Sequence, residues 1–419
     1  MSCKINRMVI ERLKVRNFKS FKELDIELND LNVLIGPNAS GKSNFVQIFR
    51  FLKDIVCHGL DNAVSLRGGV EYLRNMNIGA SKDFYLGLHL KGTFEPFPLS
   101  KSMVKIEPYE VIYEFALKFK KRSPRFNVSK DIMRLKCRFI QPKGDKAAPY
   151  VETGEITVSR IDNKLRYGIS GLTRISVSDG DIFPPFLKKL KLPRSNLLLS
   201  IPIIYHPWLS LFDLLLNISI YDIDPKLPKR ATPITGKVEL EEDGSNLSIV
   251  LRNIIKNKAE RTKLFNLVKD LLPFIEDLDV EKFAAKSLMF KLRECYFRNE
   301  YLPASLISDG TINITALIIA LYFERKPLVI IEEPERNIHP YLIAKLMEMI
   351  KDASRNKQII LTTHNPEIVK YTEIENLLLV SRDEYGFSRI SRPIDREDVK
   401  TFLTNEIGIE ELYVQNLLS

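Results

Sequence analysis

Apolar and polar residues alternate from Val9 to Val15 and again through Leu24, Ile26 and Leu28, and an apolar run from Leu31 to Ile35 follows. Period two predicts strands, and the unbroken run predicts a strand buried on both faces. A Gly-rich turn comes next. Asn44 to Cys57 then changes to helical spacing, with Phe45, Ile48, Phe49, Leu52, Ile55 and Val56 apolar, giving a strand, loop, helix unit. The middle, from about residue 60 to 300, predicts strand pieces at Phe84 to Leu90, Val111 to Phe119, Met133 to Ile140 and Glu155 to Ile161. Prolines from Pro184 to Pro233 predict short helices and loops there, and Asn246 to Leu272 returns to helical spacing. Further on, the pattern predicts an apolar helix from Ile312 to Phe323, a strand from Leu328 to Ile331, an amphipathic helix from Pro340 to Ile350 and a strand from Gln358 to Leu361. Strands alternating with helices point to a mainly parallel sheet.

Composition narrows the class. At 419 residues, with 45% hydrophobic and 28% charged residues, the chain has the make-up of an ordinary globular protein of two or three structural units. Ile314 to Phe323 is too short to span a bilayer, and the charged start has no apolar signal region, so no membrane association is expected. Cys3, Cys57, Cys137 and Cys295 form no C-x-x-C pair, which fits a reducing cytoplasm. His58, His89, His206, His339 and His364 include no close ligand pair, so a metal would be held by oxygen. A net charge of +10 favours encounters with polyanions and makes nucleic acid a possible partner.

Three motifs carry chemistry. Gly36-Pro37-Asn38-Ala39-Ser40-Gly41-Lys42-Ser43 matches G-x-x-x-x-G-K-[ST] between a strand and a helix. Loop amides and the helix N-terminus cradle phosphates, Lys42 adds charge between the β and γ groups, and Ser43 offers its hydroxyl to magnesium. Leu328 to Ile331 runs into Glu332, Glu333 and Glu335, which places carboxylates at the edge of a parallel sheet where α/β ligands bind. One of them suits support of the metal and its neighbour suits polarising the attacking water. Ser308, Gly310 and Thr311 open the apolar helix, and alone they read as a helix cap.

The order of phosphate loop, Ser-x-Gly-Thr helix start, strand ending in Glu332-Glu333, and strand ending in Thr363-His364 resembles the ABC-type ATPase heads of the SMC, RecF and OLD group. Glu-Glu-Pro-Glu before His339-Pro340, and Thr-Thr-His-Asn-Pro, look most like the compact RecF/OLD-like AAA-family ATPases of prokaryotes, many associated with anti-phage defence. The resemblance covers about residues 8 to 58 and 300 to 380.

It implies an α/β P-loop NTPase of the ABC-head type with a mixed sheet. Residues 1–60 would form the N-terminal lobe, 61–300 an inserted α+β lid and arm without a long coiled coil, 301–380 the C-terminal lobe, and 381–419 a hairpin and helices. It further implies ATP and Mg2+ as ligands and a homodimer or higher homo-oligomer. Lys42 and residues Gly36 to Ser43 would bind nucleotide, Ser43 and Glu332 would hold the metal, and Glu333 would be the general base. His364 would contact the γ-phosphate, Ser308, Gly310 and Thr311 would reach the nucleotide of a second subunit, and Asn337 to His339 would touch the partner. That reading requires the turn around Thr311 to face outward.

There are departures. Glu332 stands where such ATPases usually have Asp, Asn313 where relatives often place a basic residue, and Gln141 is the candidate for the lid glutamine of the family. OLD-type relatives often carry a nuclease domain. Residues 380 to 419 leave space only for a hairpin and about two short helices, so if phosphodiester cleavage belongs to this system a separate effector or nuclease protein is expected to perform it. Lys118 to Arg138, rich in Lys and Arg around Phe119, Phe126 and Met133, reads either as a DNA-binding face or as a solvated strand face; Lys188 to Arg194 is a second basic cluster. A DNA-repair ATPase of RecF type, an ATP-bound scaffold and a transporter subunit are the rival readings. The wide gap between phosphate loop and Ser308 argues against the transporter.

Overall fold

The computed structural model describes residues 7–92, 94, 96–99, 103–120, 123, 125–143, 147–161, 163–183, 192–193, 195–200, 206–283, 286–297, 300–395 and 409–414. Two compact units share the chain: Met1–Asn29 with Ala39–Ile218 and Val380–Ser391, and Asp30–Asn38 with Ser219–Leu379 and Arg392–Ser419.

In the first unit β1 (Val9–Phe18) pairs antiparallel with β2 (Phe21–Glu27), setting Leu13 opposite Ile26 and Val15 opposite Leu24, so that the alternating apolar residues share one face. The chain then contributes β3 (Leu31–Ile35) to the second unit and returns as α1 (Lys42–His58). This helix buries Phe45, Ile48, Phe49, Leu52, Ile55 and Val56, the positions whose spacing predicts it. The short helices α2 (Leu60–Leu66) and α3 (Val70–Leu73) precede β4 (Phe84–Lys91), β5 (Phe97–Pro98), β6 (Lys105–Phe119), β7 (Phe126–Lys143), β8 (Ala147–Ile161) and β9 (Lys164–Ser170). The strands form one antiparallel sheet in the order β2-β1-β4-β6-β7-β8-β9, with β5 on β6. Phe51 of α1 packs its ring 5.7 Å from Phe84, which in turn lies 5.9 Å from Phe18 and 5.6 Å from Phe115, so aromatic packing joins helix to sheet. Truncating such a buried ring costs about 3–5 kcal/mol. Helices α4 (Asp179–Ile182) and α5 (His206–Leu216) complete this unit before β10 (Ile218–Tyr221).

The second unit continues through β11 (Thr232–Pro233), α6 (Leu247–Ile255) and α7 (Lys258–Leu271). The single helical stretch expected from Asn246 to Leu272 is broken because Asn257 accepts from the amides of Ala259 and Glu260 and starts a new helix. The hairpin of β12 (Ile275–Phe283) and β13 (Ser287–Glu294), which the sequence pattern did not announce, joins β11 and β14 (Leu302–Pro303) in a small antiparallel sheet.

Next come α8 (Asp309–Tyr322), β15 (Leu328–Glu332), α9 (Pro340–Ser354), β16 (Gln358–Thr363), α10 (Pro366–Lys370) and β17 (Leu377–Arg382). Every residue of α8 from Thr311 to Leu321 is buried, as a helix apolar all round must be. β18 (Ser388–Ser391) lies in the first unit, and α11 (Ile409–Val414) is the last element among the described residues. The strand order β10-β15-β16-β3-β17 has parallel pairing at β15-β16, β16-β3 and β3-β17. The chain thus has the mixed-sheet α/β fold expected of a P-loop head. Among the described residues no helix is long and apolar enough to cross a membrane.

The expected basic strand face is balanced by its neighbours. Lys130, Arg134, Lys136 and Arg138 do project to one side of β7, but Glu114 of β6 meets Lys130 at 3.0 Å and Arg134 at 2.9 Å, and Glu110 meets Lys136 at 2.7 Å. Arg138 lies over the ring of Tyr109. The one acid in the run, Asp131, points the other way and is buried. It accepts from the Tyr113 hydroxyl at 2.8 Å and from the Leu198 amide at 2.8 Å. Lys121 and Arg122 lie outside the described residues, as does nearly all of the 188–194 cluster.

Burial pushes the Asp131 carboxyl up to about 7, against about 3.9 in an unfolded chain, the two donors pulling the other way. Between those values the native state holds a proton that the unfolded state has lost, so this group's contribution to stability falls as pH rises through the window and levels off above it. Asp131→Asn copies the neutral form. Wild-type protein should therefore lose up to about 1.4 kcal/mol per pH unit relative to this variant between pH 5 and 7. Denaturant titrations of the pair check this, and parallel pH profiles would contradict it.

Candidate active site

The phosphate loop leaves β3 at Ile35 and enters α1 at Lys42. Its conformation explains its composition. Ala39 has φ 62° and Gly41 has φ 122°, and a Cβ on Gly41 would fall 2.2 Å from Ser388 Oγ, so only glycine fits. Gly36, Ser40, Gly41 and Lys42 are buried, whereas Pro37, Asn38, Ala39 and Ser43 are exposed. Helix α1 begins without a side-chain cap and with no acid in its first turn, so no carboxylate opposes an anion at its positive end. Ser40 Oγ is buried with no hydrogen-bond partner. A ligand bearing phosphate oxygens would satisfy these groups, and the exposed Ser43 hydroxyl suits an oxygen-seeking cation such as magnesium.

The loop is braced by residues that sequence reading missed. Ser388 Oγ donates to the Ser40 carbonyl at 2.6 Å and accepts from Ser20 Oγ at 2.7 Å, and Asn44 Nδ2 donates to Ser20 Oγ at 2.8 Å. Arg382 Nε donates to the Ala39 carbonyl at 2.7 Å. Beside them opens a recess of about 360 Å3 lined in part by Lys19, Ser20, Asn44, Arg74 and Arg382. Its lining includes three bases and no carboxylate, and Arg74 Nη1 is buried without a partner. Gln141 does not join this region. Arg16 of β1 is linked through Tyr85 and Ala116 to Lys130, and Gln141 lies eleven residues further along β7, about 35 Å away at strand rise.

At the carboxyl edge of the second unit's sheet, Ile35 is in register with Thr363 and Thr362 with Glu332. Gly36, Glu333 and His364 therefore follow directly from the ends of three neighbouring strands. Glu333 adopts φ 48°, and its amide donates to the Thr362 carbonyl at 2.8 Å. Its Oε1 lies 3.0 Å from His364 Nδ1 and its Oε2 accepts from Arg336 Nη2 at 3.0 Å. Partial burial pushes the Glu333 carboxyl up, but Arg336 and His364 outweigh it and hold the group below the ordinary glutamate value. Glu335 behaves oppositely. It is buried, one oxygen bonds the Thr363 hydroxyl, the other has no partner, and burial pushes its carboxyl up. Glu332, at the end of β15, is half-buried.

Ser308 caps α8, accepting from the Thr311 amide at 3.1 Å. Ser308 is exposed and Gly310 half-exposed. Thr311 departs from its expected outward position: it is 5% exposed and its hydroxyl is spent on Ser308 Oγ at 2.8 Å. Asn313 is also buried and donates to the carbonyls of Pro334 and Arg336, tying α8 to the acidic loop. Asn337 and His339 are exposed, and His339 caps α9.

A phosphate loop between strand and helix, with an acidic strand and a Thr-His strand at the same parallel edge, defines a P-loop ATPase head. Residues 31–370, most of the chain, match the family described as "AAA domain, putative AbiEii toxin, Type IV TA system", and the chain belongs to it. None of the curated proteins matches. Among solved structures, the SMC head bound to the C-terminal winged-helix domain of ScpA is 15% identical, with a TM-score of 0.47 over 91% of this chain and 96% of that one. The SMC head from Thermotoga maritima is 14% identical, with a TM-score of 0.42 over 91% and 98%. The ScpA-bound SMC head from Pyrococcus furiosus is 13% identical, with a TM-score of 0.45 over 92% and 96%.

Removing the loop's brace should be measurable. Ser388→Ala leaves the Ser40 carbonyl without its donor, and ATP affinity should fall about tenfold with the thermal midpoint little changed. Calorimetric titration showing wild-type affinity would mean that the loop holds its own shape.

Proposed function

We propose that this chain binds and hydrolyses ATP as an ABC-type head in the cytoplasm, that two copies sandwich the nucleotides, and that closure is coupled to a separate effector protein in anti-phage defence. The observation that carries the reading is the register placing Gly36, Glu333 and His364 at the ends of adjacent parallel strands. The family's description, which names a toxin of a type IV toxin–antitoxin system, supports a chain that works with a second component.

Gly36 to Ser43 would wrap the phosphates, with Lys42 balancing charge between the β and γ groups. Ser43 and Glu332 would hold Mg2+, which supplies charge neutralisation on the phosphate oxygens when bound. Glu333 would accept the proton of the attacking water as its oxygen bonds the γ-phosphorus and the bond to the β-γ bridging oxygen breaks, leaving ADP and phosphate. His364 would orient the γ-phosphate. Ser308 and Gly310 of a second copy would donate to the phosphate's far side, so that ATP joins the two chains.

The engagement of both Glu333 oxygens favours a second reading, an ATP-bound scaffold with negligible turnover. Nucleic acid is a further possible partner on the strength of the net charge of +10. Loss of steady-state turnover in Lys42→Ala supports the ATPase, whereas tight ATP occupancy without turnover in the wild type supports the scaffold. With ATP and magnesium, Glu333→Gln should form an assembly of about twice the nucleotide-free mass by light scattering. A nucleotide-free monomer whose mass stays the same on adding ATP would contradict the sandwich.

A further inference from the structure

Arg336 stands between two carboxylates. While Nη2 donates to Glu333 Oε2, Nη1 donates to Asp222 Oδ1, also at 3.0 Å. Its main chain is held as well: the Arg336 carbonyl accepts from Asn313 Nδ2 at 2.7 Å. The next carbonyl, that of Asn337, lies where a Cβ on Gly310 would meet it at 2.5 Å. Asn313 and Gly310 both belong to α8, whose first turn presents Ser308. One residue therefore touches the expected base through its side chain and the signature helix through its backbone.

The geometry points to Arg336 as a positioning residue that clasps Glu333 while the chain is alone and, when a second copy's nucleotide engages Ser308, releases it and stays on Asp222 alone. The inference rests on the ATPase reading and deepens it by naming what regulates that site. To take a proton from water, Glu333 needs an oxygen lone pair directed at that water, and the bonds to His364 and Arg336 take one lone pair on each oxygen and fix which way the remaining ones point. Asp222 already accepts from Nη1, so the guanidinium keeps a carboxylate partner when Nη2 leaves Glu333. A phosphate drawn to Ser308 displaces the first turn of α8, and Asn313 and Gly310 transmit that displacement to residues 336 and 337. The nucleotide bound on one side thereby frees the base acting on the other.

The test is ATP turnover by full-length protein across a range of protein concentrations, for wild type, Arg336→Gln, Arg336→Lys and Asp222→Asn. Arg336→Gln should raise kcat of dilute protein about tenfold, the equivalent of one charge-assisted hydrogen bond, with KM within about twofold. The rise of specific activity with concentration should flatten. Arg336→Lys, which keeps one donor, should stay near wild type. Asp222→Asn, which leaves Glu333 as the guanidinium's charged partner, should lower kcat at unchanged KM. An unchanged or lower kcat in Arg336→Gln would overturn the clasp.

Turnover surviving in Glu333→Gln would instead defeat the ATPase reading of that residue. A readout without turnover separates the two. In 13C-histidine-labelled protein at fixed pH, the His364 ring resonance, identified by its loss in His364→Gln, should shift in Arg336→Gln because the imidazole then holds the carboxylate alone. An unmoved resonance also overturns the proposal.

Discussion

The parallel register of three buried strands is the constraint on which the chemistry depends. β3, β15 and β16 are buried along nearly their whole length, polar Asn32 and Gln358 included, and end level with one another. A one-residue slip would turn core side chains toward the opposite face. Because the register is fixed, the first loop glycine, the acidic pair and the Thr-His pair emerge at one edge, and each sequence motif acquires its neighbours.

The motifs that were legible in the sequence are those whose chemistry is local. The phosphate loop needs a strand before it and a helix after it, and both are marked by contiguous apolar spacing. The acidic strand is conspicuous because four apolar residues run straight into carboxylates. What escaped notice depends on residues far apart in the chain. Ser388 and Arg382 brace a loop more than three hundred positions earlier, and nothing in their own surroundings marks them. Glu110 and Glu114 balance bases on the neighbouring strand, so a run that reads as cationic along the chain is mixed in space. Thr311 is a polar residue in a helix start, and only packing shows that it faces inward. The break at Asn257 could have been read, since Asn is a favoured cap, but helical spacing on both sides hid it.

The resting arrangement of charge fits a chain that is quiet by itself. Glu333 is held ionised by a guanidinium and an imidazole, while Glu335, two residues on, is buried, and its burial favours the neutral form. Two carboxyl groups in one short loop are thus driven in opposite directions by their surroundings. Asn313 links α8 to that loop by donating to the Pro334 and Arg336 carbonyls. The acidic loop and α8 therefore form one hydrogen-bonded assembly, with Ser308 exposed at its rim.

The central claim is that one nucleotide is completed by residues of two chains. Subunit mixing tests it directly. Lys42→Ala, and Ser308→Arg carrying Arg336→Gln so that its Glu333 is already released, should each be nearly inactive alone, but random pairing of equal amounts creates dimers with one intact composite site and should restore about a quarter of wild-type ATP turnover. A mixture as inactive as either variant, with subunit exchange verified, would contradict a shared site.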